Sequence, residues 1–325
     1  MLQSDSQTLK DFNETQIIES IKLWLGNTTP PSPFGIGDDC AVLPPQAKSQ
    51  SLVSTDALVF GQHFDHSISA EQAGQKLVLR NLSDIAAMGG HPTYATLSIL
   101  SGDNLEFNWL QQFYSGIKIS SDTYDLKIVG GDLCQVPHDQ FQAVMTIFGT
   151  ANKPILRNTA SVNDPIYVSG QLGGSMLEKH YNFQPRLPQG QWLAENNLAS
   201  AMVDVTDGLA KELNFLPSES ASVLIDLKAI PIAQSAHKAH TFAKNSTEKS
   251  LKKALCDGED YELLFTLHHS IEEAQFKADW KQLFPETPLT QIGRIIEKNS
   301  LSNIIDSDTQ KPIAWLKSFD HFNRR

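Results

Sequence analysis

The chain has 325 residues, with 26 Lys and Arg against 37 Asp and Glu, which gives a formal net charge of −11 with neutral histidines. Its 40% hydrophobic and 19% charged residues are typical of a soluble globular protein and exclude a disordered tail or a fibre. Nucleic acid and anionic membranes are disfavoured as partners, because both are polyanions and the sequence shows no basic stripe. The length predicts about two domains.

The sequence also predicts the compartment. No apolar run approaches the roughly 18 residues that span a bilayer, and the start of the chain has no basic region followed by an apolar stretch. The three cysteines, Cys40, Cys134 and Cys256, lie far apart and form no CxxC pair, which suits a reducing environment. We therefore expect a cytoplasmic protein.

Strands and helices alternate over residues 1–150. Ser69 and Gln72 predict a capping box at the start of one strong helix, and Gly89 with Gly90 predicts its end. The hydrophobic spacing predicts a helix before Gly26, a strand over 52–55 that ends at Asp56, a helix over 69–88, a strand over 93–100, a helix around Trp109, and strands over 126–129 and 141–150. This pattern predicts an α/β or α+β domain.

A polar stretch over 151–164 is the predicted linker to a second mixed domain over 151–325. Its predicted elements are strands over 166–169, 223–226, 261–267 and 289–295 and a helix over about 207–216. Residues 234–254 are polar and weakly periodic, which predicts exposed helix or loop. No fixed-period repeat appears.

Acidic residues recur where the backbone turns, beside glycine or at the predicted end of a strand. Asp is common in turns and at helix N-caps, so each position alone has a structural explanation. Hard oxygen ligands that cluster without accompanying Cys or His ligands favour Mg²⁺, which is usually shared between a few carboxylates and substrate phosphates. The acids are Asp38, Asp39, Asp56, Asp132, Asp204, Asp207, Glu259 and Asp260.

Asp84 is placed differently, inside the helix predicted over 69–88. Its spacing from Leu77, Asn81 and Met88 puts it on one apolar face. An ionised acid there costs several kcal/mol unless something compensates its charge. Either Asp84 reaches solvent at the edge of the stripe, or a divalent ion compensates it.

Several familiar nucleotide and metal sites are absent from the sequence. Gly35-Ile36-Gly37 is followed by two acids instead of a third glycine, which disfavours a dinucleotide-binding fold unless metal intervenes. No GxxxxGK[ST] motif and no protein-kinase HRD and DFG pair occur. The ten histidines form no HExxH motif, which disfavours zinc.

Two basic or ionisable residues remain candidates for substrate contacts. His63 follows Asp56 by seven residues and lies either in a loop facing substrate or on the plain surface. Arg157 follows the start of the linker and either clamps a phosphate or is a surface arginine. The cysteines lack an adjacent base, so we expect no cysteine chemistry.

The ordered series of motifs resembles the thiamine-monophosphate kinase family, whose superfamily includes aminoimidazole ribonucleotide synthetase and selenophosphate synthetase. The matching segments run from residue 35 almost to the C-terminus in the order of the family. They are GIGDDCAVL (35–43), VSTDALVFGQHF (53–64), NLSDIAAMGGHP (81–92), IVGGDL (128–133), VDVTDGL (203–209), DGEDYELLFT (257–266), IGRI (292–295) and FDHF (319–322).

This resemblance implies both an architecture and a reaction. It implies an N-terminal domain that pairs through its sheet in a homodimer, a C-terminal α/β domain, and ATP held between the two. The implied reaction converts ATP and thiamine monophosphate into ADP and thiamine diphosphate, with several Mg²⁺ ions as cofactors.

The resemblance also implies roles for individual residues. Those implied to contact ATP are Gly131, Asp132, Arg157 and Thr206, and those implied to contact thiamine monophosphate are His63, Glu259 and Phe319. The residues implied to form the magnesium sites are Asp39, Ser54, Thr55, Asp56, Asp84, Asp132, Asp204 and Asp207.

The chain departs from the family pattern at three places. Thr206 stands where the family usually has serine, and Phe319 stands where it has tyrosine or tryptophan, which leaves a ring for stacking but no hydroxyl. The region over 170–188 is shorter than the family's. We expect activity to survive the change at Thr206.

Carboxylates without a paired nucleophile predict direct in-line phosphoryl transfer assisted by metal ions, with no phosphoenzyme and no strong general base. Two alternatives stay open. One is another ATP-dependent synthetase of the same superfamily, and the other is a non-catalytic, nucleotide-binding maturation factor.

Overall fold

A computed structural model describes residue 16 and residues 41–313, apart from 47–48, 103–104, 137–139, 178 and 239–245. Apart from residue 16, the helix predicted before Gly26 lies outside the described residues, as do Asp39 and Phe319. In the described part, the strands form two sheets and helices alternate with them along the chain, which confirms the predicted mixed α/β class.

The first sheet has five strands in the order β1-β2-β5-β3-β4. All of its neighbouring strands are antiparallel except β3 and β4, which are parallel. The strands are β1 (Ala41–Gln46), β2 (Ser49–Val59), β3 (His91–Ser101), β4 (Lys127–Gln135) and β5 (Phe141–Ala151).

Helices α1 (Ala70–Ala87) and α2 (Phe107–Thr123) belong to this half. The predicted capping box of α1 is confirmed, because Ser69 Oγ accepts from the Gln72 amide at 3.1 Å and Gln72 Oε1 accepts from the Ser69 amide at 2.8 Å. Gly89, with φ +65°, follows the helix. Alternate residues of β5 are buried on the face that α1 covers.

The opposite face of this sheet is half-exposed and carries apolar side chains in register. Val53, Phe148 and Tyr94 lie opposite one another on β2, β5 and β3, and Tyr94 is 53% exposed. Thr55, Thr146 and Thr96 form the next row. This side of the sheet therefore has no helix over it among the described residues.

The second sheet has six strands in the order β11-β8-β10-β6-β9-β7. The strands are β6 (Pro165–Ser169), β7 (Ala199–Asp204), β8 (Ala221–Ile225), β9 (Leu263–Leu267), β10 (Leu289–Glu297) and β11 (Ile304–Asp306). The helices of this half are α3 (Leu187–Glu195), α4 (Leu209–Glu212), α5 (Gln234–Lys238), α6 (Ser246–Cys256) and α7 (Glu273–Leu283), with 3-10 turns at Ser175–Leu177 and Leu213–Phe215.

One hydrophobic core continues from the first half into the second. Leu77 of α1, Met202 of β7 and Trp280 of α7 belong to the same buried cluster. Gly190 lets α3 approach α1 closely, because an added Cβ would lie 2.1 Å from the carbonyl oxygen of Ala86. The division into domains near residue 150 stays a prediction.

Two predicted strand ends are wrong. β2 continues to Val59, so Asp56 lies inside the strand opposite Met145 instead of at its end. β4 likewise continues through Gly130 and Asp132 to Gln135. The long partner strands β5 and β3 pair with these residues and override their weak strand propensity.

The helix predicted over about 207–216 is also shorter than expected. It is divided into α4 and the 3-10 turn Leu213–Phe215, which ends just before Pro217. Helices α3 and α7 and strands β1 and β11 were not predicted. Among the described helices, none has the length and apolar character that crossing a membrane requires.

We predict that Gly116→Ala destabilises the protein by at least about 2 kcal/mol, although alanine favours an isolated helix over glycine by about 1 kcal/mol. The added Cβ would lie 1.9 Å from the carbonyl oxygen of Glu71, where α2 crosses α1. Urea unfolding of this variant and of the exposed neighbouring control Ser115→Ala measures the difference. A gain of stability in Gly116→Ala would contradict the close helix crossing.

Candidate active site between the two halves

One face of α1 carries a row of polar side chains. Lys76, Arg80, Ser83 and Asp84 are three or four residues apart along this face, apart from the adjacent pair at its end. Their partners lie on β2 on one side and in segments of the second half on the other. The row therefore forms polar contacts between the two halves.

Two acids predicted to bind metal lie at the end of this row, Asp84 within it and Asp204 bonded to it. Ser54 Oγ of β2 donates to Asp84 Oδ2 at 2.5 Å. Ser83 Oγ donates to Oδ2 of Asp204, at the end of β7, also at 2.5 Å. Asp84 is half-buried and Asp204 is 1% exposed. Asp204 is thus bonded to the helix residue next to Asp84, although the two acids are 120 residues apart in sequence.

Asp56 lies on the same face of β2 as Ser54 and contacts the middle of the row. Arg80 Nε donates to Asp56 Oδ2 at 2.5 Å, and Arg80 Nη1 donates to the carbonyl oxygen of Ala57 at 2.8 Å. The arginine therefore compensates the charge of this carboxylate within the protein.

The donor set at this end of α1 fits a magnesium ion in its chemistry. Asp84, Asp204 and Ser54 offer only hard oxygen atoms, and none of them has a Cys or His among the contacts above. Among the described residues, no group of three or more His, Cys, Asp or Glu side chains is arranged so that it could hold a metal ion by itself. A small protein donor set suits Mg²⁺, which keeps several waters and is shared with substrate phosphates.

Thr55 and Asp132 lie apart from this cluster. Thr55 faces the opposite side of β2, where its hydroxyl donates to the carbonyl oxygen of Met145 at 3.0 Å. Asp132 is exposed on edge strand β4, opposite Ser98. The strand order puts β4 three strands from β2, a separation of roughly 14 Å at the usual strand spacing. Their metal roles, and the ATP role of Gly131, stay predictions.

Two loops of the second half form a second part of the candidate site. The amide of Glu259 donates to the carbonyl oxygen of Thr206 at 2.7 Å. Gly258, with φ +75°, permits this close approach, because an added Cβ would lie 2.5 Å from that oxygen. Asp207 is paired with Lys211 at 2.5 Å. Thr206, predicted to contact ATP, and Glu259, predicted to contact thiamine monophosphate, are therefore hydrogen-bonded to each other.

Arg157 lies on the connection between β5 and β6. Its guanidinium carbon lies 5.0 Å from the centre of the Phe215 ring, in the 3-10 turn that follows α4. The half-buried side chain is therefore held against the segment that continues from Asp207. Its contact with ATP stays a prediction.

Lys76 lies at the other end of the polar row and is fully buried. Its ammonium donates to Glu259 Oε2, to the carbonyl oxygen of His63 and to Nδ1 of His180, each at 2.7 Å. Burial raises the pKa of Glu259, but the charge and the hydrogen bond of Lys76 outweigh it and lower the pKa to about 2. Glu259 is therefore ionised at neutral pH.

The shortened region over 170–188 is held by a second buried carboxylate. Glu262 accepts from Arg186 Nε at 2.7 Å, from Lys179 Nζ at 2.8 Å and from Ser169 Oγ at 2.6 Å. Burial opposes ionisation, but the charge of Lys179 and the hydrogen bonds of Arg186 lower the pKa of Glu262 to about 2. These bonds fix the segment that carries His180.

Sequence reasoning found most of the acids but not Lys76, Arg80 or His180. The spacing of Lys76, Arg80 and Asp84 by four residues puts them on one helix face, and this signal would have found the first two. His180 has no such signal, because its partner Lys76 is 104 residues away.

The comparison with known families first defines the class of protein. Residues 37–151 match the family described as AIR synthase related protein, N-terminal domain. This segment covers the first sheet, helices α1 and α2, and the polar row.

Comparisons over the whole chain then define the family. The chain is 32% identical over 314 residues to the thiamine-monophosphate kinase of Buchnera aphidicola subsp. Acyrthosiphon pisum, covering 89% of this chain and 92% of the relative. It is 32% identical over 311 residues to the enzyme of the same name from Escherichia coli K12, with coverage of 89% and 92%. The chain therefore belongs to the thiamine-monophosphate kinase family.

A solved structure supports the same assignment. AaThiL complexed with AMPPCP and TMP superposes with a TM-score of 0.79 and 27% sequence identity, covering 98% of this chain and all of that one. The resemblance stated from the motifs is confirmed.

Proposed function

We propose that the chain transfers the γ-phosphoryl group of ATP to thiamine monophosphate, giving thiamine diphosphate and ADP. The observation that carries the proposal is that Asp204 of β7 is bonded to Ser83, the helix residue next to Asp84, in a chain of this family. Two polyanionic substrates repel each other strongly in a partly dry site. Acidic side chains would add to this repulsion, so the site can hold both substrates only when cations are bound as well.

The proposed magnesium ligands are Asp39, Ser54, Thr55, Asp56, Asp84, Asp132, Asp204 and Asp207. The bonds of Ser54 to Asp84 and of Ser83 to Asp204 support this proposal. Bound Mg²⁺ neutralises phosphate charge and aligns the reacting oxygens. Ser54 and Ser83 orient the carboxylates of Asp84 and Asp204 through their hydroxyl hydrogen bonds.

The remaining proposed contacts are divided between the two substrates. Gly131, Asp132, Arg157 and Thr206 are proposed to contact ATP, and His63, Glu259 and Phe319 to contact thiamine monophosphate. His63 Nδ1 accepts from the Val59 amide at 3.0 Å, which places the proton of the neutral ring on Nε2. That N–H suits a phosphate oxygen of the acceptor.

We further propose direct in-line transfer without a phosphoenzyme. The acceptor is already an ionised phosphate, so the protein has to orient it and does not need to deprotonate it. Trapping of a phosphohistidine at His63 during turnover would contradict this mechanism.

The test of the proposed function is release of ADP from ATP with and without thiamine monophosphate, followed by chromatographic detection of thiamine diphosphate. We expect ADP release to depend on the acceptor and to match thiamine diphosphate one to one. ADP release independent of thiamine monophosphate would favour a synthetase of the same superfamily. Nucleotide binding without turnover would favour the non-catalytic alternative.

Asp84→Asn is predicted to lower kcat sharply and to raise the Mg²⁺ concentration for half-maximal rate by roughly 10- to 100-fold, because the amide is a weaker ligand than the carboxylate. Asparagine fills the same space, so the melting temperature should change little. The matched control is Asp122→Asn, an acid on α2 whose side chain is 66% exposed. Normal turnover of Asp84→Asn at ordinary Mg²⁺ would remove Asp84 from the metal site.

We also propose that the chain forms a homodimer through the face of its first sheet that lies opposite α1. The row of Val53, Phe148 and Tyr94 supports this, because it leaves apolar surface on the face opposite α1. The cytoplasmic location stays a prediction.

Tyr94→Asp is predicted to shift the protein from dimer to monomer, because it places a charge in the centre of the proposed interface. Sedimentation velocity over a range of protein concentrations measures the change. The control is Leu301→Asp, which introduces the same charge at an apolar residue that is 71% exposed in a loop. A dimer that persists in Tyr94→Asp, or a wild-type monomer at high concentration, would refute this interface.

A further inference from the structure

All three N–H donors of the Lys76 ammonium are used inside the protein. Each of its three acceptors, Glu259 Oε2, the His63 carbonyl oxygen and His180 Nδ1, lies at 2.7 Å. A lysine ammonium has three donors and no acceptor capacity, so this arrangement satisfies it completely. The side chain is fully buried and therefore does not act as a surface charge.

The three acceptors come from three segments that are distant in sequence. His63 lies in the turn between β2 and α1, His180 follows the 3-10 turn Ser175–Leu177, and Glu259 lies in the loop before β9. The ammonium of Lys76, on α1, therefore forms a hydrogen bond to each of the three segments. His63 and Glu259 are also the two described residues proposed to contact thiamine monophosphate.

We propose that Lys76 is the positioning residue of the acceptor side, fixing the His63 turn and the Glu259 carboxylate at the separation that thiamine monophosphate requires. The inference rests on the proposed function and adds to it a residue that makes no substrate contact of its own. Lys76 acts through His63 and Glu259.

The physical argument concerns what removal of the ammonium leaves behind. Glu259 would keep a buried negative charge and the His63 carbonyl would lose its donor, and both groups pay a desolvation cost. The structure relaxes most easily if the carboxylate turns toward water and the turn shifts. Both movements displace the groups that are proposed to hold the acceptor.

Replacement of Lys76 should weaken the binding of thiamine monophosphate and leave the binding of ATP unchanged. Lys76 makes no hydrogen bond to Gly131, Asp132, Arg157 or Thr206, the residues proposed for ATP. Glu259 does contact Thr206, but through its backbone amide, which a rotation of the side chain leaves in place.

The test compares steady-state kinetics of wild type and Lys76→Met, which keeps the length of the side chain but removes the charge. We expect KM for thiamine monophosphate to rise about tenfold or more while KM for ATP stays within about twofold. The control is Lys277→Met on α7, which also removes a lysine paired with a glutamate, Glu273. It should leave both KM values unchanged.

A double-mutant cycle separates positioning from general stability. Lys76→Met combined with Glu259→Gln removes both charges, so no uncompensated carboxylate is left, and this variant serves if Lys76→Met alone does not fold. We expect Glu259→Gln to raise KM for thiamine monophosphate and the second change to add much less than it does in wild type.

Three results would overturn the inference. One is an unchanged KM for thiamine monophosphate in Lys76→Met, and another is an equal rise of both KM values with a lowered melting temperature. The third is a multiplicative effect in the double variant. Wild-type protein without ADP release dependent on thiamine monophosphate would overturn the proposed function as well, whereas the other results leave it standing.

Discussion

Charges buried between the two halves of the chain need partners, and helix α1 supplies them. Its polar row pairs Lys76 with Glu259 and Arg80 with Asp56, while Ser83 and Asp84 bond to Asp204 and Ser54. An unpaired charge at such a depth costs several kcal/mol. The contacts of Lys76 with Glu259 and of Ser83 with Asp204 therefore constrain how the halves fit together. The candidate metal site and the residues proposed to bind thiamine monophosphate consequently lie at two ends of one helix face.

The strongest local patterns in the sequence were sufficient to predict parts of the fold. The capping box at Ser69 and the alternating pattern of β5 depend on residues close in sequence, and the structure contains both. The ends of β2 and β4 were wrong because Asp56 and Gly130 read locally as turn residues. Long-range pairing with β5 and β3 decided their conformation instead.

The candidate site was likewise only partly predictable from the sequence. A single apolar-stripe argument identified Asp84 as an acid in need of compensation, and the structure gives it Ser54 as a partner and Asp204 beside its neighbour Ser83. The strand order that separates Asp132 from Asp56 is not encoded in any local pattern. The same holds for the contact of Lys76 with His180, which depends on two segments meeting across the interface of the halves.

The shared core has a consequence for how this protein can be divided. Leu77, Met202 and Trp280 pack into one cluster, and Gly190 brings α3 against the backbone of α1. A fragment cut after β5 would therefore leave α1 with an unshielded hydrophobic flank and would remove Glu259 and His180, two of the three acceptors of the Lys76 ammonium. The first half is consequently a poor candidate for an autonomous module, and exchange of one half between relatives would require the matching surface of the other.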